Sequence, residues 1–91
     1  MTEFLRGSIR FNTEVEQFTK KTGEVSVKCM FHIVDDNGTE RAIVATGDNT
    51  NYAGCQGMRV EVGYVNRVFH FVRNGKDWIG NDLYMTSIKR V

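Results

Sequence analysis

The stretch Val25-Ser26-Val27-Lys28-Cys29-Met30-Phe31-His32-Ile33 sets Val25, Val27, Cys29, Phe31 and Ile33 at every second position, with Ser26, Lys28, Met30 and His32 between them. A period of two puts one set on each face of a pleated strand, whereas a helix needs apolar residues three and four apart. The run ends at Asp35-Asp36-Asn37-Gly38. Asn-Gly tolerates positive φ at both positions, so it predicts a type I′ hairpin turn. The next strand, Arg41 to Thr46, then folds back antiparallel.

Working outward, Phe4 to Phe18 carries apolar residues at Leu5, Ile9, Phe11 and Val15, with Gly7 where a strand can bend or bulge. This reads as one long, curved first strand, closed by the polar turn Lys20-Lys21-Thr22-Gly23-Glu24. After Thr46, the segment Gly47 to Gly57 has no strand pattern and holds at most one helical turn. Met58, Val60 and Val62 alternate again, a second apolar set follows at Val65, Val68, Phe69 and Phe71, and Arg73-Asn74-Gly75-Lys76-Asp77 turns the chain into a last strand, Trp78 to Arg90. Five strands, a bent first one, a break after the third and a terminal hairpin predict an all-β, five-stranded Greek-key barrel that closes on itself and so removes most edge liability.

The chain has 91 residues, 41% of them hydrophobic, which matches a single domain spanning 1–91 with one core. Twelve Lys plus Arg stand against eleven Asp plus Glu. No strong overall field therefore draws the protein to nucleic acid or to a membrane, and any such role rests on where the charges lie. Two cysteines, Cys29 and Cys55, are far from a disulfide framework. With no apolar stretch of membrane-spanning length and no leader pattern, the expected setting is cytoplasmic.

The segments Gln56-Gly57-Met58-Arg59-Val60-Glu61-Val62-Gly63-Tyr64-Val65, Asn74-Gly75-Lys76-Asp77-Trp78 and Asn81-Asp82-Leu83-Tyr84-Met85-Thr86 resemble the second half of OB-fold single-stranded DNA-binding proteins. In that family a Gly-ended loop opens the fourth strand, a Val-x-Val-x-Gly-like run follows, and a polar hairpin carries Gly-Lys beside an aromatic. The resemblance covers the last third of the chain best, and the first half agrees mainly in strand pattern. It implies an OB barrel. Bacterial members continue into a flexible tail with an acidic-hydrophobic tip, whereas this sequence stops at Lys89-Arg90-Val91. The expectation is a small tail-less module of the phage, plasmid or primosome accessory kind.

Single-strand binding needs a cationic groove along the phosphates and aromatic faces for the bases. In an OB barrel the usual site is the face of the second and third strands, flanked by the loops joining strands one to two and four to five. On that plan the candidates are Lys20 and Lys21 in the first loop, Lys28 and His32 on the outward row of strand two, and Arg41 at the start of strand three. The terminal hairpin adds Arg67, Phe69, His70, Phe71, Arg73, Lys76 and Trp78. Phe69 and Phe71 alternate on one side of a strand and fit core as well as they fit a stacking platform. Trp78, beside a polar turn, is the better platform, while Tyr52 and Tyr64 fit the closing of a barrel end.

Metal chemistry is not expected, because Cys29 and His32 lie three apart in a strand and point to opposite faces, and Cys55 and His70 belong to no paired-ligand motif. No cofactor is implied. No Gly-x-Ser-x-Gly, phosphate-loop or His-Glu-x-x-His motif occurs, and Asp35-Asp36 beside a turn reads as a solvated pair, so the chain is expected not to be an enzyme. The leading reading is sequence-tolerant binding of single-stranded DNA, with RNA fitting the same kind of face, by a homo-oligomer in replication or recombination. The alternative is an OB module that binds protein and has no affinity for nucleic acid.

Overall fold

The computed structural model describes Met1–Val91. Six strands form in chain order: β1 (Glu3–Asn12), β2 (Glu16–Thr19), β3 (Val25–Asp35), β4 (Glu40–Thr46), β5 (Arg59–Arg73) and β6 (Lys76–Arg90), with a single 3₁₀ turn at Gly47–Thr50 between β4 and β5. They make one sheet in the order β1-β5-β6-β4-β3-β2, and an additional β1–β3 pairing closes it into a barrel. All pairings are antiparallel except β4 with β6, which run parallel through Ile43↔Leu83 and Val44↔Tyr84. A closed ring of the five strands β1, β3, β4, β6 and β5 cannot be antiparallel at every contact, so one neighbouring pair must run parallel.

The long first strand is interrupted. β1 pairs with β5 over Glu3–Ser8 and with β3 over Gly7–Asn12, so Gly7 sits where it passes from one neighbour to the other. A Cβ on Gly7 would collide with the backbone of Val34 and Asp35, so this close approach requires glycine. A register shift between Ile9 and Phe11 places the extra residue at Arg10. Beyond it the phase of the strand is inverted: Ile9 is buried, but Phe11, in step with it by simple alternation, faces outward. The strand breaks at Thr13, whose N–H donates to the Met30 carbonyl (2.9 Å) while its hydroxyl accepts from the Met30 N–H (2.8 Å). β2 then resumes the pairing with β3.

The type I′ turn lies in the other hairpin. Asn74 and Gly75 have φ of 54° and 74° and join Arg73 to Lys76 with two residues, the geometry whose twist matches the flanking strands. At Asp35–Thr39 only Gly38 has positive φ, and the Gly38 N–H donates to the Asp35 carbonyl, which is a type I turn followed by a left-handed glycine. The reason is Asp35: its Oδ1 accepts from the N–H groups of Asn37 (3.0 Å) and Thr39 (2.9 Å), and this side-chain turn competes with the primed one. Its carboxylate is therefore engaged and only 10% exposed. It is not one of a solvated pair.

The core is built from the inward rows: Ile9 from β1, Cys29, Phe31 and Ile33 from β3, Ile43 and Ala45 from β4, Val60, Val62 and Tyr64 from β5, and Met85 from β6. Each large side chain fully removed from water there contributes about 1.5–3 kcal/mol. Tyr64 is an inward core residue and Tyr52 packs against the same cluster. Burial raises the pKa of the Cys29 thiol above its ordinary value.

Candidate nucleic-acid interface

β5 and β6 outrun the barrel. From Asn66 to Ile79 every residue of the β5–β6 hairpin is exposed, and the pair projects as an arm that gives the molecule a 43 Å long axis. Cross-strand register fixes what each face of the arm carries. Arg67↔Asp82, Phe69↔Gly80, Phe71↔Trp78 and Arg73↔Lys76 share one face, and Val68↔Asn81, His70↔Ile79 and Val72↔Asp77 share the other.

On the first face Phe69 (42% exposed), Phe71 (39%) and Trp78 (50%) form an open aromatic cluster. The Phe69 and Phe71 ring centroids lie 5.9 Å apart. Phe69 lies over Gly80, where a Cβ would come within 2.7 Å of its ring. The Trp78 indole N–H donates a long 3.4 Å hydrogen bond to the Arg73 carbonyl, leaving the ring face free. Arg73 and Lys76 stand at the tip.

Toward the barrel the same face continues into a cleft of about 550 Å³ whose lining includes Phe18, Lys28, Met30, Val44, Thr46 and Arg67. Alternation on β3 turns Cys29 and Phe31 inward, so Lys28, Met30 and His32 face out. The Lys28 ammonium sits 5.6 Å over the Phe18 ring. Thr46 and Tyr84 hydroxyls are hydrogen-bonded at 2.6 Å, which stitches β4 to β6 where their parallel pairing is short.

Arg67 is held rather than free. Its guanidinium donates to both oxygens of Asp82 at 3.0 and 2.7 Å and lies 4.6 Å over the Tyr84 ring. The bond to Asp82 raises its pKa further. A planar fork fixed to a carboxylate and stacked on a phenol orients the floor of the cleft and carries little net charge.

The remaining sequence candidates fall around this strip. Lys20 and Lys21 are exposed in the turn between β2 and β3, next to the Phe18–Lys28 end. His32 is on the outward row, but Phe11 covers it: the rings stack at 4.1 Å and 14°. Its Nδ1 lies 3.6 Å from Glu40, which also accepts from Arg10. That bond from Arg10 is the main reason the Glu40 pKa lies below the ordinary carboxylate value. Arg41 is not on the outward row. It has the parity of inward Ile43 and directs its Nε toward Asp35 at 3.6 Å. His70 is on the arm's second face, 3.4 Å from Asp77. Lys28, Phe69, Phe71, Arg73, Lys76 and Trp78 thus come together with Lys20 and Lys21 at the margin, while His32, Arg41 and His70 stand apart.

Phe18 and Tyr84 belong to the surface as well, although sequence reasoning left them out. Once β2 is hung on β3, the pairing Phe18↔Ser26 and Glu16↔Lys28 puts Phe18 beside Lys28. No cluster of three His, Cys, Asp or Glu side chains has the arrangement of a metal site.

A closed barrel in the order β1-β3-β4-β6-β5, with a bent first strand and parallel β4 and β6, is the OB fold. Among solved structures, the crystal structure of a small single-stranded DNA-binding protein from Streptomyces coelicolor matches with a TM-score of 0.55 and 16% identity, over 100% of this chain and 94% of that one. At that identity the likeness is one of fold. No protein-family model matches the chain, and no curated protein matches its sequence.

Proposed function

We propose that this protein binds single-stranded DNA without strong sequence preference, along the strip from Phe18 and Lys28 across the Arg67–Tyr84 floor to Phe69, Phe71 and Trp78. The observation that carries the reading is the aromatic cluster, three open rings on one face of a projecting arm and continuous with a cleft that Lys28 lines beside Glu14, Glu16 and the Arg67–Asp82 pair. Every base has a π-face, so such rings accept any sequence, and stacking is worth about 1–3 kcal/mol per base. Lys20, Lys21, Lys28, Arg73 and Lys76 would meet phosphates and release counterions. RNA offers the same bases and phosphates. The OB neighbour named above, itself a single-stranded DNA-binding protein, supports this choice of ligand. We further propose a non-enzymatic role in replication or recombination, with the chain acting as a homo-oligomer.

Titration of Trp78 fluorescence with an oligothymidine at several salt concentrations tests it. Quenching that weakens as salt rises is the expected result. The second reading, a protein-binding OB module, is favoured by the net charge of only +1 and by the aliphatic second face of the arm. Flat fluorescence with no mobility shift at micromolar protein would overturn the first reading in favour of this one.

A further inference from the structure

The arm leaves a strand edge bare. On its outer side β5 is covered by β1 only as far as Tyr64, which pairs with Glu3, and from Val65 to Arg73 its sole neighbour is β6. The two-residue turn makes Arg73 and Lys76 a hydrogen-bonded pair, so alternate residues Phe71, Phe69 and Arg67 direct their main-chain groups to β6. Asn66, Val68, His70 and Val72 therefore turn their N–H and C=O groups outward. A long edge of this kind, with no proline and apolar side chains on both faces, is a template for another strand.

We infer that the occupant is a second copy of this chain, its β5 edge paired antiparallel to the first about a two-fold axis at His70. This register matches the groups that need partners. His70 meets His70 of the other copy and Val68 meets Val72, so that outward main-chain groups face outward main-chain groups in about six hydrogen bonds. Side chains match in the same register: Val68 lies opposite Val72 on one face and Phe69 opposite Phe71 on the other, the aromatic and β-branched pairs that stabilise sheets. The basic tip, Arg73 and Lys76, is brought to the place where β1 ends at Glu3. Arg67, which lies opposite Arg73 of the other copy, already has its charge balanced by Asp82.

The other bare edges fit less well. β2 offers only four residues, beginning with Glu16, and the free edge of β6 sets Asp77 opposite Asn81 and Trp78 opposite Gly80 in the equivalent symmetric pairing. A two-stranded ribbon alone is marginal in water, and pairing turns two ribbons into one four-stranded sheet. Both aromatic clusters then lie on the same face of that sheet, doubling the stacking surface. The pairing itself requires no nucleic acid, so its test is separate from that of the proposed binding.

Sedimentation velocity of the full chain over a micromolar range, without DNA, should show a monomer–dimer equilibrium. His70→Pro removes one outward N–H without touching the β5–β6 bonds and should raise the dimer Kd by about tenfold or more. In a Cys55→Ser background, His70→Cys should form a disulfide-linked dimer on mild oxidation, because paired Cα atoms about 5.5 Å apart lie within disulfide reach. Ile79→Cys, on the opposite edge of the arm, should not. A monomer at about 100 µM, crosslinking at Ile79→Cys equal to that at His70→Cys, or no crosslinking at either would overturn the inference. Should His70→Pro fail to fold, the cysteine pair decides alone.

Discussion

Replacing Trp78 with Ala separates stacking from charge. The indole is half exposed and its only polar contact is a 3.4 Å hydrogen bond to a main-chain carbonyl near the tip, so the cost in stability should stay below about 1 kcal/mol. Loss of one stacked base corresponds to about 1–3 kcal/mol, a five- to 150-fold rise in Kd for oligothymidine. The removed group is uncharged, so the dependence of log K on log salt should not change. With all of Lys20, Lys21, Lys28, Arg73 and Lys76 on phosphates, that slope should be about −3.5 for the wild type and for Trp78→Ala alike. Anisotropy of an end-labelled oligonucleotide measures both quantities and does not rely on the lost fluorophore. A Kd changed by less than about twofold in a variant with unchanged thermal unfolding would refute the platform, as would a slope that moved with it.

Lys28→Met should act in the opposite way, reducing the salt slope by about 0.7 with a modest loss of affinity, readable from the same titrations. Phe31→Ala, at the fully buried centre of β3, should cost about 3–5 kcal/mol by urea denaturation. Gly7→Ala forces the Val34 backbone away from β1 and should destabilise the barrel by about 1–3 kcal/mol in the same assay. Hydrogen bonds from Arg10 to Glu40, and from Arg6 and then Lys89 to Glu61, lower those two carboxyl pKa values. Their contribution is thus present above the ordinary carboxylate pKa and lost as pH falls through the depressed folded values. Melting temperature should therefore fall less steeply across that acidic range in Glu40→Gln/Glu61→Gln than in the wild type.

The strands were legible because alternation is local. The row Cys29, Phe31, Ile33 reads as inward from the sequence and is inward in the barrel; likewise Gly7 marks the bend. The bulge at Arg10 left no such mark, so the outward turn of Phe11 could not be read from its spacing to Ile9. The two Asn-Gly pairs look alike, and only Asp35, folding its carboxylate back onto its own turn, makes them differ. Among the candidate site residues, the placement of Lys28, Phe69, Phe71 and Trp78 follows from position along a strand. Arg67 and Arg41 do not, since whether an arginine is free depends on the carboxylate opposite, Asp82 or Asp35, and so on cross-strand register.

By itself, then, the sequence determined the all-β class, the approximate course of most strands and the identity of most cations and aromatics on offer, because periodicity and turn chemistry act within a few residues. Tertiary structure alone decided that the aromatic face of the arm is continuous with the Lys28 cleft and that β5 is left with a bare edge. Those outcomes depend on the length by which β5 and β6 outrun their neighbours, and a difference in length between strands far apart in the chain has no local signature.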